Sequence, residues 1–130
     1  LRGMPGASRR LQLLEADLLD PEAFNSCVNG AEVVFHTASP FVTSGITDPV
    51  RELVEPAVNG TLSVLKAAAR SGTVKHIVLT SSVAAVMGGL SDKDSCFDED
   101  DWNESSTLDG DGLSQYRFSK VMAERAAWEY

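Results

Sequence analysis

Two apolar runs that each end in small hydroxyl residues constrain the fold of this chain most strongly. The first, AEVVFHTASP, spans residues 31–40, and the second, VKHIVLTSS, spans residues 74–82. Between them, residues 48–72 begin with Asp-Pro, end with Ser-Gly and carry apolar side chains at helical spacing. A strand–helix–strand order implies a right-handed crossover and a parallel sheet. We therefore predict an α/β fold whose two polar tails lie at the carboxyl edge of the sheet, where such sheets bind ligands.

Three further segments extend this pattern. Residues 11–18, LQLLEADL, are apolar enough to predict another buried strand. A short helix is predicted next, because Asp20 can cap its first turn, Pro21 suits its first position and Gly30 can end it. Residues 114–130 are rich in alanine and long side chains, which favours a last helix.

The long helix at residues 48–72 should bury one stripe and be interrupted once. Pro56 is expected to kink or restart it, and Gly60 should let another backbone come close. The predicted core stripe consists of Val54, Val58, Leu62, Leu65 and Ala69.

Composition restricts the classes of function. The length of 130 residues suits one domain, and no apolar run reaches the roughly 18 residues of a membrane span or resembles a signal peptide. We therefore expect a cytoplasmic protein without a membrane partner. No nucleic-acid partner is expected either, because no basic stripe is present. Cys27 and Cys96 have no metal-ligand spacing and are expected to be free thiols. Nine acids and one base fall at residues 91–111, which predicts a solvated loop and accounts for the net charge of -8.

A tyrosine and a lysine lie four residues apart on the last predicted helix. Tyr116 and Lys120 would share a face, and an ammonium beside a phenol lowers its pKa from about 10 toward the range of a useful acid. A hydroxyl of the TSS segment is a suitable donor to a substrate oxygen; Ser82 is the first candidate and Ser81 the alternative. A surface helix with a solvated lysine is the other interpretation of this spacing.

Several strings occur in an order typical of one family: ADLLDPEAF, VVFHTASP, EPAVNGTLSVLKAA, VLTSSVAAV, DSCF and YRFSKVMAERAAWEY. Over residues 11–130 the chain resembles the extended short-chain dehydrogenase/reductases, and most of all their branch with dihydroflavonol 4-reductase and cinnamoyl-CoA reductase. The resemblance implies a Rossmann-type, doubly wound parallel sheet. It also implies the cofactor NADP(H), with NAD(H) as an alternative, and a small-molecule substrate that is a ketone, an aldehyde or, in some members, a thioester.

The resemblance also assigns roles to individual residues. It implies that Ser82 bonds the carbonyl oxygen, Tyr116 donates the proton, and Lys120 holds the nicotinamide ribose and lowers the pKa of the tyrosine. Cofactor contacts are implied for Tyr116, Lys120, Asp17, Leu18, Thr37, Ala38, Ser39 and Thr80. His36 and His76 are expected to be structural, and no metal is expected.

The chain also departs from the family pattern. A glycine-rich turn that would cradle the pyrophosphate does not occur, and Ala57 occupies the place of a proton-relay asparagine. Residues 1–130 are therefore expected to be an incomplete central fragment of an NAD(P)-binding Rossmann domain. The first βαβ unit, with the residue that selects NADP or NAD, and the C-terminal substrate part would be missing, and the fragment alone would be inactive. A hydroxysteroid dehydrogenase, a sugar-nucleotide epimerase and a non-catalytic NADP-sensing protein are the alternative functions.

Overall fold

A parallel pair of strands forms the centre of the structure, a computed structural model that describes residues 1–88 and 96–130. Strand β1 is Val33–His36 and strand β2 is His76–Leu79. They run parallel, with Val33 opposite His76 and His36 opposite Leu79. The two apolar runs of the sequence therefore form the predicted strands, and the long helix connects them.

Five helices accompany this pair in the described ranges, and the three that the sequence predicts are among them. The helices are α1 (Ala7–Arg10), α2 (Ala23–Cys27), α3 (Glu55–Ser71), α4 (Val83–Val86) and α5 (Gly112–Glu129). A π-helical turn, Val50–Val54, leads directly into α3. Within the described part of the chain, no helix is long and apolar enough to cross a membrane. No group of three or more His, Cys, Asp or Glu side chains is placed there to hold a metal ion, and Cys27 and Cys96 are free thiols.

The predicted strand at residues 11–18 is wrong. This segment has no strand partner, and Leu11, Leu13 and Leu14 are 39–51% exposed. An extended segment becomes a strand only when a neighbour pairs with its backbone N–H and C=O groups. Among the described residues β1 and β2 pair only with each other, so the apolar run remains uncovered.

The ends of α2 follow the predicted signals with one difference. Gly30 takes the left-handed conformation that ends the turn, with φ at 77°. Asp20, however, does not cap the helix itself. Its carboxylate accepts the Glu22 backbone N–H at 2.9 Å, and the helix begins only at Ala23.

Pro56 restarts the long helix, as predicted, because the π-helical turn ends just before it. The predicted core stripe is wrong by one residue. Ala69 is exposed and the other four positions are half-buried, whereas the position just before each of them is buried: Leu53, Ala57, Thr61, Val64 and Ala68. Helices α3 and α5 pack against each other, and small residues allow that close approach. A prediction based on large apolar side chains therefore selects residues at the edge of this interface and not those at its centre.

Gly60 does face a close neighbour, but the neighbour is a side chain and not another backbone. A Cβ at this position would lie 2.3 Å from Cγ of Leu18. Leu18 thus packs directly on the surface of α3.

The two faces of the sheet differ in environment. His36 is buried, and Val34 and Leu79 are half-buried. On the opposite face Val33, Phe35 and Val78 are 44–71% exposed. The continuous apolar character of the strands predicts burial on both faces. The structure shows instead that only one face is covered.

Candidate active site

The two polar tails lie side by side at the carboxyl edge of the sheet, as predicted. The backbone N–H of Thr80, the first residue after β2, donates to the carbonyl oxygen of His36, the last residue of β1, at 2.9 Å. The segments 37–40 and 80–82 therefore leave the sheet from adjacent points.

Ser82 is fixed by a short helix that the sequence analysis missed. Its backbone is extended, and its Oγ accepts the Ala84 backbone N–H at 3.1 Å, so it is the N-cap of α4. The signal was a serine immediately before VAAV. Ser81 is used differently, because its hydroxyl donates to the Glu124 carboxylate. No hydrogen bond joins the Ser82 hydroxyl proton to an acceptor among residues 1–88 and 96–130, whereas the Ser81 proton is engaged.

Lys120 is a buried lysine with 9% of its surface exposed, so the interpretation as a solvated surface lysine is wrong. Together with Thr80, Ser81 and Thr61 it lines a small cavity between α5, α3 and the end of β2. Burial lowers the pKa of the Lys120 ammonium, and the Glu124 carboxylate one helical turn away opposes that effect.

His36 lies buried at the end of β1. Burial and, secondarily, the charge of Lys120 lower the pKa of its imidazole. The neutral form of His36 is therefore favoured, since burial and the nearby positive charge both disfavour the imidazolium.

Tyr116 is held at the start of α5 by the loop that follows β1. Its half-buried ring meets Phe41 edge to face, with ring centroids 5.0 Å apart and planes at 89°. One turn earlier, a Cβ on Gly112 would lie only 2.1 Å from the carbonyl oxygen of Thr43, so this loop presses on the helix backbone. Sequence reasoning missed Phe41, because a single aromatic residue in a loop carries no pattern.

The remaining predicted cofactor residues occupy two places. Asp17 is exposed, and its carboxylate accepts the Leu19 backbone N–H at 2.9 Å. Leu18 packs at Gly60, next to Thr61 of the cavity that Lys120 lines. After β1, Thr37 and Ala38 are exposed, while the Ser39 hydroxyl is buried and has no hydrogen-bond partner within the described residues.

Asn103 is a buried side chain that sequence reasoning also missed. Its amide nitrogen donates to the Ala84 carbonyl oxygen at 2.8 Å and to Ser106 Oγ at 2.9 Å. Its amide oxygen accepts the backbone N–H groups of Ser105 and Ser106. Asn103 thereby attaches the acidic segment to α4, the helix that begins directly after Ser82. No local pattern distinguishes this asparagine from a solvated one.

Replacing Asn103 by alanine should destabilise the full-length protein by about 1–3 kcal/mol, because the Ala84 carbonyl oxygen would remain buried without its donor. Chemical denaturation of both proteins measures this difference. Asn59→Ala, an exposed change on α3, is the matched control and should alter stability by about 0.5 kcal/mol or less. Equal stability of the two variants would contradict the anchoring role.

The acidic segment has no helix or strand over residues 96–111, as predicted, and Asp92 and Asp94 lie outside the described residues. It is nevertheless attached to α5 as well as to α4. The Arg125 guanidinium lies 5.1 Å from the ring centroid of Trp102 and 3.6 Å from the Glu104 carboxylate.

A cavity of about 740 Å³ opens beside Ser82. Residues of α4 line it together with the aromatic residues Phe97 and Trp102, and three acids, Asp98, Glu99 and Asp101, also contribute to its lining. It combines mostly apolar walls with a few polar groups, the usual character of a small-molecule site.

The parallel strands, the polar segments at their carboxyl ends and the buried lysine define a Rossmann-type α/β domain. Comparison with known proteins identifies the family: the chain belongs to the 3-beta hydroxysteroid dehydrogenase/isomerase family, whose profile matches residues 6–129. The expected fold class and the resemblance to extended short-chain dehydrogenase/reductases are thus confirmed.

Individual relatives support the expected branch. The chain is 44% identical over 129 residues to a cinnamoyl-CoA reductase of Medicago truncatula, covering 98% of this chain and 39% of that protein. It is 34% identical over 132 residues to a dihydroflavonol 4-reductase of Arabidopsis thaliana, covering 100% of this chain and 34% of that protein. The structure of yeast methylglyoxal/isovaleraldehyde reductase complexed with NADPH superposes with a TM-score of 0.74 at 38% identity, covering 87% of this chain and 36% of that one. The chain spans about two-fifths or less of the length of these relatives.

Proposed function

We propose that the full-length protein carrying this chain is an NADPH-dependent reductase of small carbonyl compounds, of the dihydroflavonol-reductase-like type. The relatives named above are reductases, and the yeast enzyme binds NADPH. Residues 1–130 would form part of its NAD(P)-binding domain. We place the enzyme in the cytoplasm, because free thiols such as Cys27 and Cys96 are typical of a reducing compartment.

The observation that carries this proposal is the burial of Lys120 at the carboxyl ends of the strands. A buried lysine costs stability, because its ammonium loses water contacts that packing does not replace, so a functional role for the charge is the natural reason to keep it. Here the lysine lies one helical turn after Tyr116 and shares a cavity with Thr80 and Ser81. The same helix face thus carries a proton donor and a cation able to stabilise its phenolate form.

The residues around this edge fit a phosphorylated dinucleotide. The buried Ser39 hydroxyl lacks a partner among the described residues, and it lies in the loop that leaves the carboxyl end of β1, where such ligands bind. NADPH would be held by Asp17, Leu18, Thr37, Ala38, Ser39, Thr80, Tyr116 and Lys120. When bound, it supplies the hydride that reaches the carbonyl carbon.

The protein residues would manage the carbonyl oxygen. The Ser82 hydroxyl, oriented by its cap on α4, would donate a hydrogen bond to that oxygen. Tyr116 would transfer its phenolic proton to the same oxygen as negative charge develops there. The Lys120 ammonium would stabilise the resulting phenolate until it is reprotonated.

Turnover assays on the full-length protein test this function. We expect one NADPH to be oxidised for each carbonyl group reduced, when ketones, aldehydes and a coenzyme A thioester are offered in turn. A sugar-nucleotide epimerase would interconvert its substrate without net NADPH consumption. Tight NADPH binding without turnover of any carbonyl compound would favour the non-catalytic sensor instead.

A further inference from the structure

A hydrogen bond joins the segment after β2 to α5. The Ser81 hydroxyl donates to the carboxylate of Glu124, which lies four residues after Lys120 and therefore on the same helix face. Ser81 in turn lies between Thr80 and Ser82 in the chain. This contact connects the segment that carries the candidate catalytic serine to the helix that carries the candidate tyrosine and lysine.

The surroundings show that this contact lies inside the candidate site. Glu124, Ser81, Thr80 and Lys120 line one small cavity, and Glu124 is half-buried. Glu129, the other glutamate of α5, is exposed at the end of the helix. Of these two acids, only Glu124 touches the polar segment at the sheet edge.

The charge of Glu124 also acts on Lys120. Among the described residues, two titratable groups interact electrostatically with Lys120: His36 from β1 and Glu124 from its own helix. Tyr116 lies one helical turn before Lys120. Helix α3 contributes the uncharged Thr61 to the cavity that Lys120 lines. Among these groups, Glu124 supplies the negative charge, which raises the Lys120 pKa and so opposes the lowering caused by burial.

We propose that Glu124 is a positioning residue of the reductase site: it holds Ser81, and through the backbone the adjacent Ser82 hydroxyl, in place against the turn of α5 that carries Tyr116 and Lys120. This inference rests on the proposed function. Glu124 would touch neither substrate nor cofactor, so its removal should lower kcat for carbonyl reduction while NADPH affinity is retained.

Four variants of the full-length enzyme test this role. Glu124→Ala and Ser81→Ala each remove the hydrogen bond, and each should lower kcat about tenfold with the NADPH Kd within about twofold of wild type. Glu124→Gln keeps an acceptor for Ser81 and should retain most of kcat. The double variant Ser81→Ala/Glu124→Ala should be no slower than Glu124→Ala alone, because both changes break one interaction. Glu129→Ala is the matched control and should match wild type.

Hydrogen exchange supplies a readout that does not depend on activity. The Ala84 backbone N–H donates to Ser82 Oγ, so its exchange should be faster in Glu124→Ala than in Glu129→Ala. Ser81→Ala deletes one exposed hydroxyl and keeps the test valid if Glu124→Ala folds poorly.

The outcomes separate this inference from the function it rests on. Unchanged kcat and exchange in Glu124→Ala and Ser81→Ala would overturn the positioning role, as would losses that multiply in the double variant. If Tyr116→Phe is inactive while these variants are normal, only the positioning role fails. If Tyr116→Phe turns over normally, the proposed mechanism fails as well.

Discussion

Tyr116→Phe in the full-length enzyme is expected to reduce turnover on the order of 10²–10⁴-fold, the usual loss when a general acid is removed. Phenylalanine keeps the ring that meets Phe41 edge to face, so the loop after β1 should stay in place. NADPH binding should therefore remain close to normal. Single-turnover measurements of NADPH oxidation, with fluorescence titration of the cofactor, separate the two effects.

Tyr130→Phe provides the matched control for this change. Tyr130 is the other tyrosine of the chain, it follows the same helix, and it is 58% exposed. The loss of its hydroxyl should leave turnover unaltered. If the two variants have similar rates, the proton comes from another group and Tyr116 is rejected as the acid.

Lys120→Met is expected to have opposite effects on activity and stability. Turnover should fall on the order of 10² or more, because the phenolate would lose the cation that stabilises it. Stability should rise, because methionine fills similar space without placing a charge in a buried site. The midpoint of thermal unfolding should therefore increase by a few degrees.

The stability gain should depend on pH in a defined direction. The pKa of Lys120 in the folded protein is lowered from its ordinary value of 10.5, so the unfolded chain binds this proton more tightly. Between the lowered pKa and 10.5, the unfolded chain keeps this proton while the folded protein has lost it. The free energy of unfolding of the wild type therefore rises with pH across this range. The difference in the free energy of unfolding between Lys120→Met and wild type should thus be largest near neutral pH and should decrease toward alkaline pH.

Lys66→Met, an exposed change on α3, is the control for the loss of a lysine. It should alter neither turnover nor the pH dependence of unfolding. A Lys120→Met enzyme that is fully active, or one that is less stable than wild type at neutral pH, would contradict the role given to this buried charge.

The features that sequence predicted well are encoded locally. Strands β1 and β2 follow from short apolar runs, and Pro56 interrupts the long helix through its own backbone chemistry. Residues 11–18 have a similar composition to those strands, yet whether they pair depends on a neighbour that their own composition does not specify. The stripe on α3 was misplaced because the packing of α5 selects small side chains.

The residues of the candidate site likewise fall into those that the sequence indicates and those that only the folded structure reveals. Motif and resemblance indicated Ser82, Tyr116 and Lys120, although only the folded chain shows that Lys120 is buried. Phe41, Asn103 and Glu124 act through partners that lie 19–75 residues away in sequence. Interactions across such separations leave no periodic trace, so a single sequence does not reveal them.

Asn103 attaches residues 103–106 to α4, and the acidic residues just before it place negative charge beside the candidate site. Asp98, Glu99 and Asp101 line the cavity beside Ser82, and the field of their negative charges extends roughly 8 Å at physiological ionic strength. We expect an anionic compound that approaches from that side to be slowed by repulsion, and a neutral one not to be. Added salt should consequently speed the encounter with anions and leave that with uncharged molecules unchanged.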